Sequence, residues 1–147
     1  MSTDYIPVSL RRLIIERASN QCEYCHISGE AVFAPHQVDH IIAQKHGVQT
    51  ADHNLALSCT LCNKHKGSDL TSIDPQTGKV VLLFNPRQDE WSDHFSLIGG
   101  RIIGLTMTGR ATAPLLQFNR PDRMDERNIL PASGLYSSRS YSETSQN

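Results

Sequence analysis

Along the chain, apolar positions first become regular at Leu10, Leu13, Ile14 and Ala18, the spacing of one helix face, with Arg11, Arg12 and Glu16 on the other side. Ser9 suits the N-cap of this helix, Val8 and Leu13 suit a hydrophobic staple around it, and the helix is expected to end near Asn20. Residues 31–42 have a strand-like texture in Val32, Phe33, Val38, Ile41 and Ile42, interrupted by Pro35, which predicts two short strands or one broken strand. Residues 45–50 read as an exposed loop, 54–57 as an extended approach to Cys59, and 63–68 as a short helix. Further on, Asp74-Pro75-Gln76-Thr77-Gly78 is a turn that leads into a strand over 79–84. Trp91, Phe95 and Ile98 followed by 101–106 predict more packed structure, with a hairpin turn at Gly99-Gly100. Residues 111–118 have helical composition, with Pro114 expected in the first turn, and 124–130 continue helically. The Ser-rich stretch 133–147 is expected to be a disordered tail.

The chemistry is concentrated between Cys22 and Gly67. All four cysteines of the chain lie there, as Cys22-x-x-Cys25 and Cys59-x-x-Cys62. Each pair puts two thiolates on one tight turn, and two such turns complete the tetrahedron of a structural zinc site. The bland alternative is a disulfide or a redox dithiol. Between and just after the pairs lie Asp39-His40, Asn54 and Asn63, and the helix that follows carries Lys64 and Lys66.

Phosphodiester hydrolysis needs a base for water, a cation for the charge growing on phosphate, and stabilisation of the leaving oxygen. His40 suits the base, since imidazole exchanges protons near neutral pH. Asp39 offers a hard oxygen to Mg2+ or Mn2+, and Asn63, next to Cys62, offers a second. Asn54 suits the partner that orients the imidazole; its plainer role is a cap. In an ideal strand Asp39 and His40 point to opposite faces, so a shared site requires the strand to end or bend there. Lys45, Lys64 and Lys66 are candidate phosphate contacts.

The wider composition narrows the setting. The 147 residues suit one domain of modest core, and 6% aromatic content favours a core stapled by metal. A net charge of −1 advertises no global field for nucleic acid, so any phosphate contact must be local. No apolar run is long enough to span a membrane, and the N-terminus lacks a secretory layout. The expected location is therefore cytoplasmic, where paired cysteines serve as metal ligands rather than disulfides.

The combination Cys22-x-x-Cys25, Val38-Asp39-His40-Ile41-Ile42, Asn54-Leu55, Cys59-x-x-Cys62-Asn63 and Lys66-Gly67 resembles the HNH endonuclease family in its zinc-containing ββα-metal form. The resemblance covers roughly the first half of the chain. It implies His40 as general base, Asn54 as its orienting partner, Asp39 and Asn63 as ligands of a catalytic Mg2+ or Mn2+, and the four cysteines as zinc ligands. The last His of the family name is here Asn63. His65 lies two positions along and is turned away, so it is not promoted to ligand.

The fold expected is α+β: a ββα-metal core over 1–70 stapled by a four-cysteine zinc site, then a small α/β C-terminal extension over 71–132 completing the same domain. The function expected is a metal-dependent endonuclease acting on DNA, with RNA as an open alternative, working as a monomer or homodimer. The rivals are a zinc-framed nucleic-acid-binding module without catalysis and a cytosolic redox protein. His36, His46, His53 and His94 read as surface or core-edge histidines. Arg101, Arg110, Arg120, Arg123 and Arg127 are candidates for a phosphate-binding face, a reading weakened by the interleaved Asp122, Asp125 and Glu126.

Overall fold

The computed structural model describes residues 5–30 and 32–133, excepting the side chains of 129–133. The expected tail over 134–147 lies outside the described residues. The described residues are α+β, with three two-stranded antiparallel sheets among helices. No helix among the described residues is long and apolar enough to cross a membrane.

Helix α1 (Val8–Arg17) starts one residue before the expected cap, with Pro7 in the N-cap position and no side-chain cap. Proline loses nothing there, because the first helical N–H groups have no partner within the helix. The staple does not form: Val8 and Leu13 are both exposed. Ile14 and Ala18 carry the buried face instead. The helix stops at Ala18, followed by Ser19 and Asn20, both left-handed at φ 54°. The chain then enters the first cysteine turn.

Strand β1 (Gln37–His40) pairs antiparallel with β2 (Leu55–Ser58), His40 opposite Leu55 and Asp39 opposite Ala56. The apolar stretch around Val32 and Phe33 does not join it, and Phe33 is fully exposed. This corrects the strand-like reading over 32–36: Pro35 withholds a ladder donor, and pairing begins only beyond it. Val38, Leu55 and Leu57 pack with Ile6, Ile14 and Ala18 in one small core. Ala56 joins a larger core with the cysteines. Strand β2 is thus buried on both faces and covered at every residue, while β1 keeps Gln37 and Asp39 toward solvent. Helix α2 (Thr60–Lys66) follows, and the Cys59 sulfur accepts from Cys62 N at its N-cap.

In the second half, β3 (Thr71–Ile73) and β4 (Val80–Leu82) flank the turn at Asp74, where Gly78 takes φ 76°. A single helical turn, α3 (Trp91–His94), leads into β5 (Phe95–Ile98), which returns through the Gly99-Gly100 turn as β6 (Arg101–Gly104). Helix α4 (Met107–Leu115) is capped by the Thr106 hydroxyl, which accepts from Gly109 N at 3.1 Å. That cap starts the helix four residues earlier than composition suggests, so Pro114 sits in the last turn rather than the first. Its missing N–H costs the Arg110 carbonyl its usual donor, a small loss where the helix ends one residue later. Gly109 is required by packing: a Cβ there would lie 2.1 Å from the His94 carbonyl oxygen. Helix α5 (Pro121–Ser133) opens with proline at its first position, as expected of a residue with no N–H to offer.

The halves share a core. Cys22, Tyr24, Cys25, Ile41, Cys59 and Cys62 lie in one buried cluster with Phe84, Phe95, Ile102, Leu116 and Phe118. Trp91 carries the join: its indole N–H donates to the Tyr24 carbonyl at 2.9 Å, and its ring stacks on His26 with centroids 3.9 Å apart.

Candidate functional site

Both cysteine pairs form the same local turn. Cys25 N donates to Cys22 Sγ at 3.5 Å, and Cys62 N donates to Cys59 Sγ at 3.4 Å. The first turn is completed by His26 at φ 66° and by Gln21, whose amide donates to the His26 carbonyl at 3.0 Å. The four sulfurs lie within 4.8 Å of one another, and all four residues are buried. A zinc ion about 2.3 Å from each sulfur sets them about 3.8 Å apart. Cys25 and Cys59 stand 3.7 Å apart, so the donor set fits zinc in number, chemistry and spacing.

A guanidinium joins this cluster from the far end of the chain. Arg123 of α5 is buried and donates to the sulfurs of Cys25 and Cys59 at 2.6 and 2.9 Å. Burial by itself would lower its pKa, but the negative charge on Cys25, Cys62 and Cys59 drives it up. The other buried arginine, Arg127, donates to the carbonyls of Gly100 and Phe118. Arg110 pairs with Asp74. These three are therefore not a phosphate-binding face, a correction to that expectation: α5 and α4 turn their guanidinium groups inward, to acceptors the fold itself supplies. Arg101 remains exposed, and Arg120 is half-buried and pairs with Asp122.

The second cluster forms at the end of β1. Asp39, His40 and Asn63 line one groove of about 310 Å³ together with Lys45, Gly67 and Ser68. The strand ends at His40, so neighbouring residues of opposite parity reach one site. The Asp39 side chain is 40% exposed and the imidazole 2%. One Asp39 oxygen accepts from His40 N at 2.8 Å, which fixes the carboxylate. Asn63 donates its amide to Gln37 Oε1 at 2.5 Å, which leaves its carbonyl oxygen able to coordinate a cation.

The two ring nitrogens of His40 have different surroundings. Nε2 shares a hydrogen bond with the Thr50 hydroxyl at 2.7 Å. Nδ1 is buried, has no hydrogen-bond partner, and stands 3.6 Å from Asp39 Oδ1. Sequence reasoning misses Thr50; a hydroxyl in an irregular loop ten residues from His40 carries no signal of its own.

Asn54 corrects a further expectation. Its side chain does not reach the imidazole; Oδ1 accepts from Ile42 N and Nδ2 donates to Ile42 O, both at 2.9 Å, with a further bond to the Gln49 carbonyl at 3.3 Å. A buried primary amide matches a backbone peptide edge, so Asn54 extends the β1–β2 pairing past the strand end and closes the 41–54 loop that carries Thr50. Lys66 also departs from expectation. Its ammonium is buried and donates to the Ile41 carbonyl at 2.6 Å, so it braces the same loop rather than meeting phosphate. Burial lowers its pKa, and Asp39 and Asp69 oppose that shift. Lys45 is exposed on the groove wall, and Lys64 is exposed as well. His65 is half-buried beside Gln117, and His94 bonds to Thr106, so neither joins the site.

No curated protein and no solved structure matches the chain. Residues 22–69 match the family model HNH endonuclease, a family of nucleases, and the four clustered cysteines of this α+β stretch fit its zinc-containing form.

Proposed function

We propose that the protein is a metal-dependent endonuclease that hydrolyses phosphodiester bonds in DNA, with His40 as the base and Asp39 and Asn63 holding Mg2+ or Mn2+. The observation that carries this reading is the asymmetry of His40. Thr50 engages Nε2, and Nδ1 lies unpartnered beside Asp39 at the groove. With Nε2–H donating to the Thr50 hydroxyl, Nδ1 keeps its lone pair and accepts a proton from water. Asn54 and Lys66 hold the loop that presents Thr50. Lys45, on the groove wall, offers a contact for a phosphate oxygen.

The residues fit a hard cation. A carboxylate and a carboxamide oxygen on the groove suit Mg2+, which takes few protein ligands and keeps several waters. Such an ion, when bound, supplies charge neutralisation at the phosphate and lowers the pKa of water. One such groove attacks one strand at a time.

The test is supercoiled plasmid incubated with zinc-loaded protein, with Mg2+ or Mn2+ added or omitted, beside His40→Ala and Asp39→Ala. Omission is preferable to a strong chelator, which would strip zinc as well. Nicked product that needs the added metal and falls about 100- to 10,000-fold in His40→Ala supports the reading. Cleavage that persists in His40→Ala removes His40 as base. DNA retardation with no cleavage favours the binding module, and cleavage confined to RNA moves the substrate class.

A further inference from the structure

The residues matched to the HNH family end at 69, yet the cysteine cluster has a partner at position 123. Arg123 Nη2 lies 2.6 Å from Cys25 Sγ, 2.9 Å from Cys59 Sγ and 3.9 Å from Cys62 Sγ. A group occupying the centre of the tetrahedron would meet the sulfurs alike. These unequal distances put the guanidinium outside it, over the edge between Cys25 and Cys59, and leave the centre to a metal ion.

Charge explains why it is there. Four thiolates around one divalent ion carry two uncompensated negative charges in a buried site. Arg123 is itself buried, and its Nε and Nη1 have no hydrogen-bond partner. A cation in that condition is costly unless concentrated negative charge faces it. Among the described residues no carboxylate forms an ion pair with Arg123; Glu126 acts on it only through space, and the thiolates are the negative charge in contact with it. Neutral thiols would not.

We propose that Arg123 is the outer cation of the zinc centre: it offsets thiolate charge, slows loss of the metal, and makes α5 part of the metal site. Arg123 acts through the cysteines and is a positioning residue. This stands whether or not His40 is a base, because its readouts are the metal's own.

The test uses the full chain loaded with zinc, or with cobalt as a spectroscopic substitute, in Arg123→Met, Arg123→Lys and Arg127→Met. Competition against a chelating dye should show about 10- to 100-fold weaker zinc binding in Arg123→Met, the scale at which outer partners of metal ligands act. The sulfur-to-cobalt charge-transfer band should move to longer wavelength, because sulfur lone pairs released from N–H donors give up charge more easily. Arg123→Lys should recover part of both effects. Arg127→Met is the control for packing of α5, since Arg127 donates to the carbonyls of Gly100 and Phe118, and it should leave the band unmoved. Wild-type affinity and band in Arg123→Met would overturn the proposal. So would an Arg127→Met that matches Arg123→Met in both. Should Arg123→Met fail to fold, Arg123→Lys carries the test: a point-charge donor in place of the guanidinium shifts the band, and an unshifted band overturns the assignment.

Discussion

In residues 22–69 the buried set packed with the cysteines is largely small or sulfur-bearing, Cys22, Cys25, Ala56, Cys59 and Cys62 with Tyr24, Ile27 and Ile41, while Val38, Leu55 and Leu57 pack separately on α1. In the segment from 84 to 118 it is aromatic and aliphatic: Phe84, Phe95, Ile102, Leu116 and Phe118, with Phe95 placed edge-on to both other phenylalanines. The first region is ordered by coordination at one point, and the second by apolar area spread over many contacts. A point of coordination fixes loop geometry sharply, which suits a groove where Asp39, His40 and Asn63 must meet. An aromatic core provides a firm wall that tolerates variation in its loops. Trp91 and Arg123 are where the second region grips the first, one on the turn at Cys25 and one on the sulfurs.

The largest expected effect comes from removing the metal from the first region. Structural zinc contributes an apparent folding energy of about 10 kcal/mol or more in small zinc domains. Cys59→Ser should therefore abolish the cooperative thermal transition, with Trp91 fluorescence as reporter, since that indole rests on the ring after Cys25. A variant that still melts cooperatively near the wild-type temperature would mean that apolar packing holds both regions alike. The matching cut in the second region is smaller. Phe95→Ala should cost about 3–5 kcal/mol in denaturant unfolding while the native protein still binds one zinc per chain. Loss of zinc along with it would show that the regions cannot be separated energetically.

This contrast also explains what is legible in the sequence. Coordination leaves a signature at fixed spacing, so both cysteine turns can be placed without coordinates; Asp39, His40 and Asn63 meet at one groove, and the helix expected over 63–68 starts earlier, at Thr60. The hairpin turns at Asp74 and Gly99-Gly100 are legible for the same local reason. Long-range partners are not. Nothing near Arg123 in the chain announces a sulfur acceptor 64 residues away, and an arginine between acidic neighbours reads as surface. Asn54 and Lys66 stand out as important positions, but the sequence points each to the wrong partner. Their acceptors are backbone groups of the loop after His40, and backbone has no sequence pattern. Pro114 misleads because the Thr106 cap, not helix composition, sets where α4 starts.

Thr50 sharpens the comparison at the groove, on the reading that His40 is the base. Thr50→Val keeps the shape and removes the hydroxyl. Turnover should fall about tenfold, the worth of one net hydrogen bond of about 1.4 kcal/mol. Thr50→Ser should restore most of it, and zinc content should stay at one per chain in both. The 15N shifts of the His40 ring add a readout independent of turnover: the Nε2–H tautomer should dominate in wild type and lose population in Thr50→Val. Unchanged tautomer populations would mean that the loop, not the hydroxyl, orients the ring.

The smallest effect expected is in acid, and it separates two of the arginine–anion contacts, those of Arg123 and Arg110. Arg123 faces sulfur, whereas Arg110 faces the buried carboxylate of Asp74 through two bonds of 2.9 Å. Those bonds hold the Asp74 carboxyl well below the usual carboxylate range; burial opposes this, and the Thr77 hydroxyl and Gln76 N–H add to it. A depressed folded value means stability that is complete above the unfolded pKa of about 3.9 and is lost as pH falls through the folded one. Between pH 5 and 3 the unfolded chain takes up a proton at Asp74 that the folded chain refuses, so folding weakens. Asp74→Asn has no such proton to take up. It should melt below wild type at pH 6, and the gap should narrow by pH 3. Because acid also displaces zinc from thiolates, only the difference between the two proteins isolates Asp74. A gap that holds constant from pH 6 to 3 would mean that the turn, not the ion pair, accounts for whatever Asp74 contributes, and would leave the second region held by its apolar core alone.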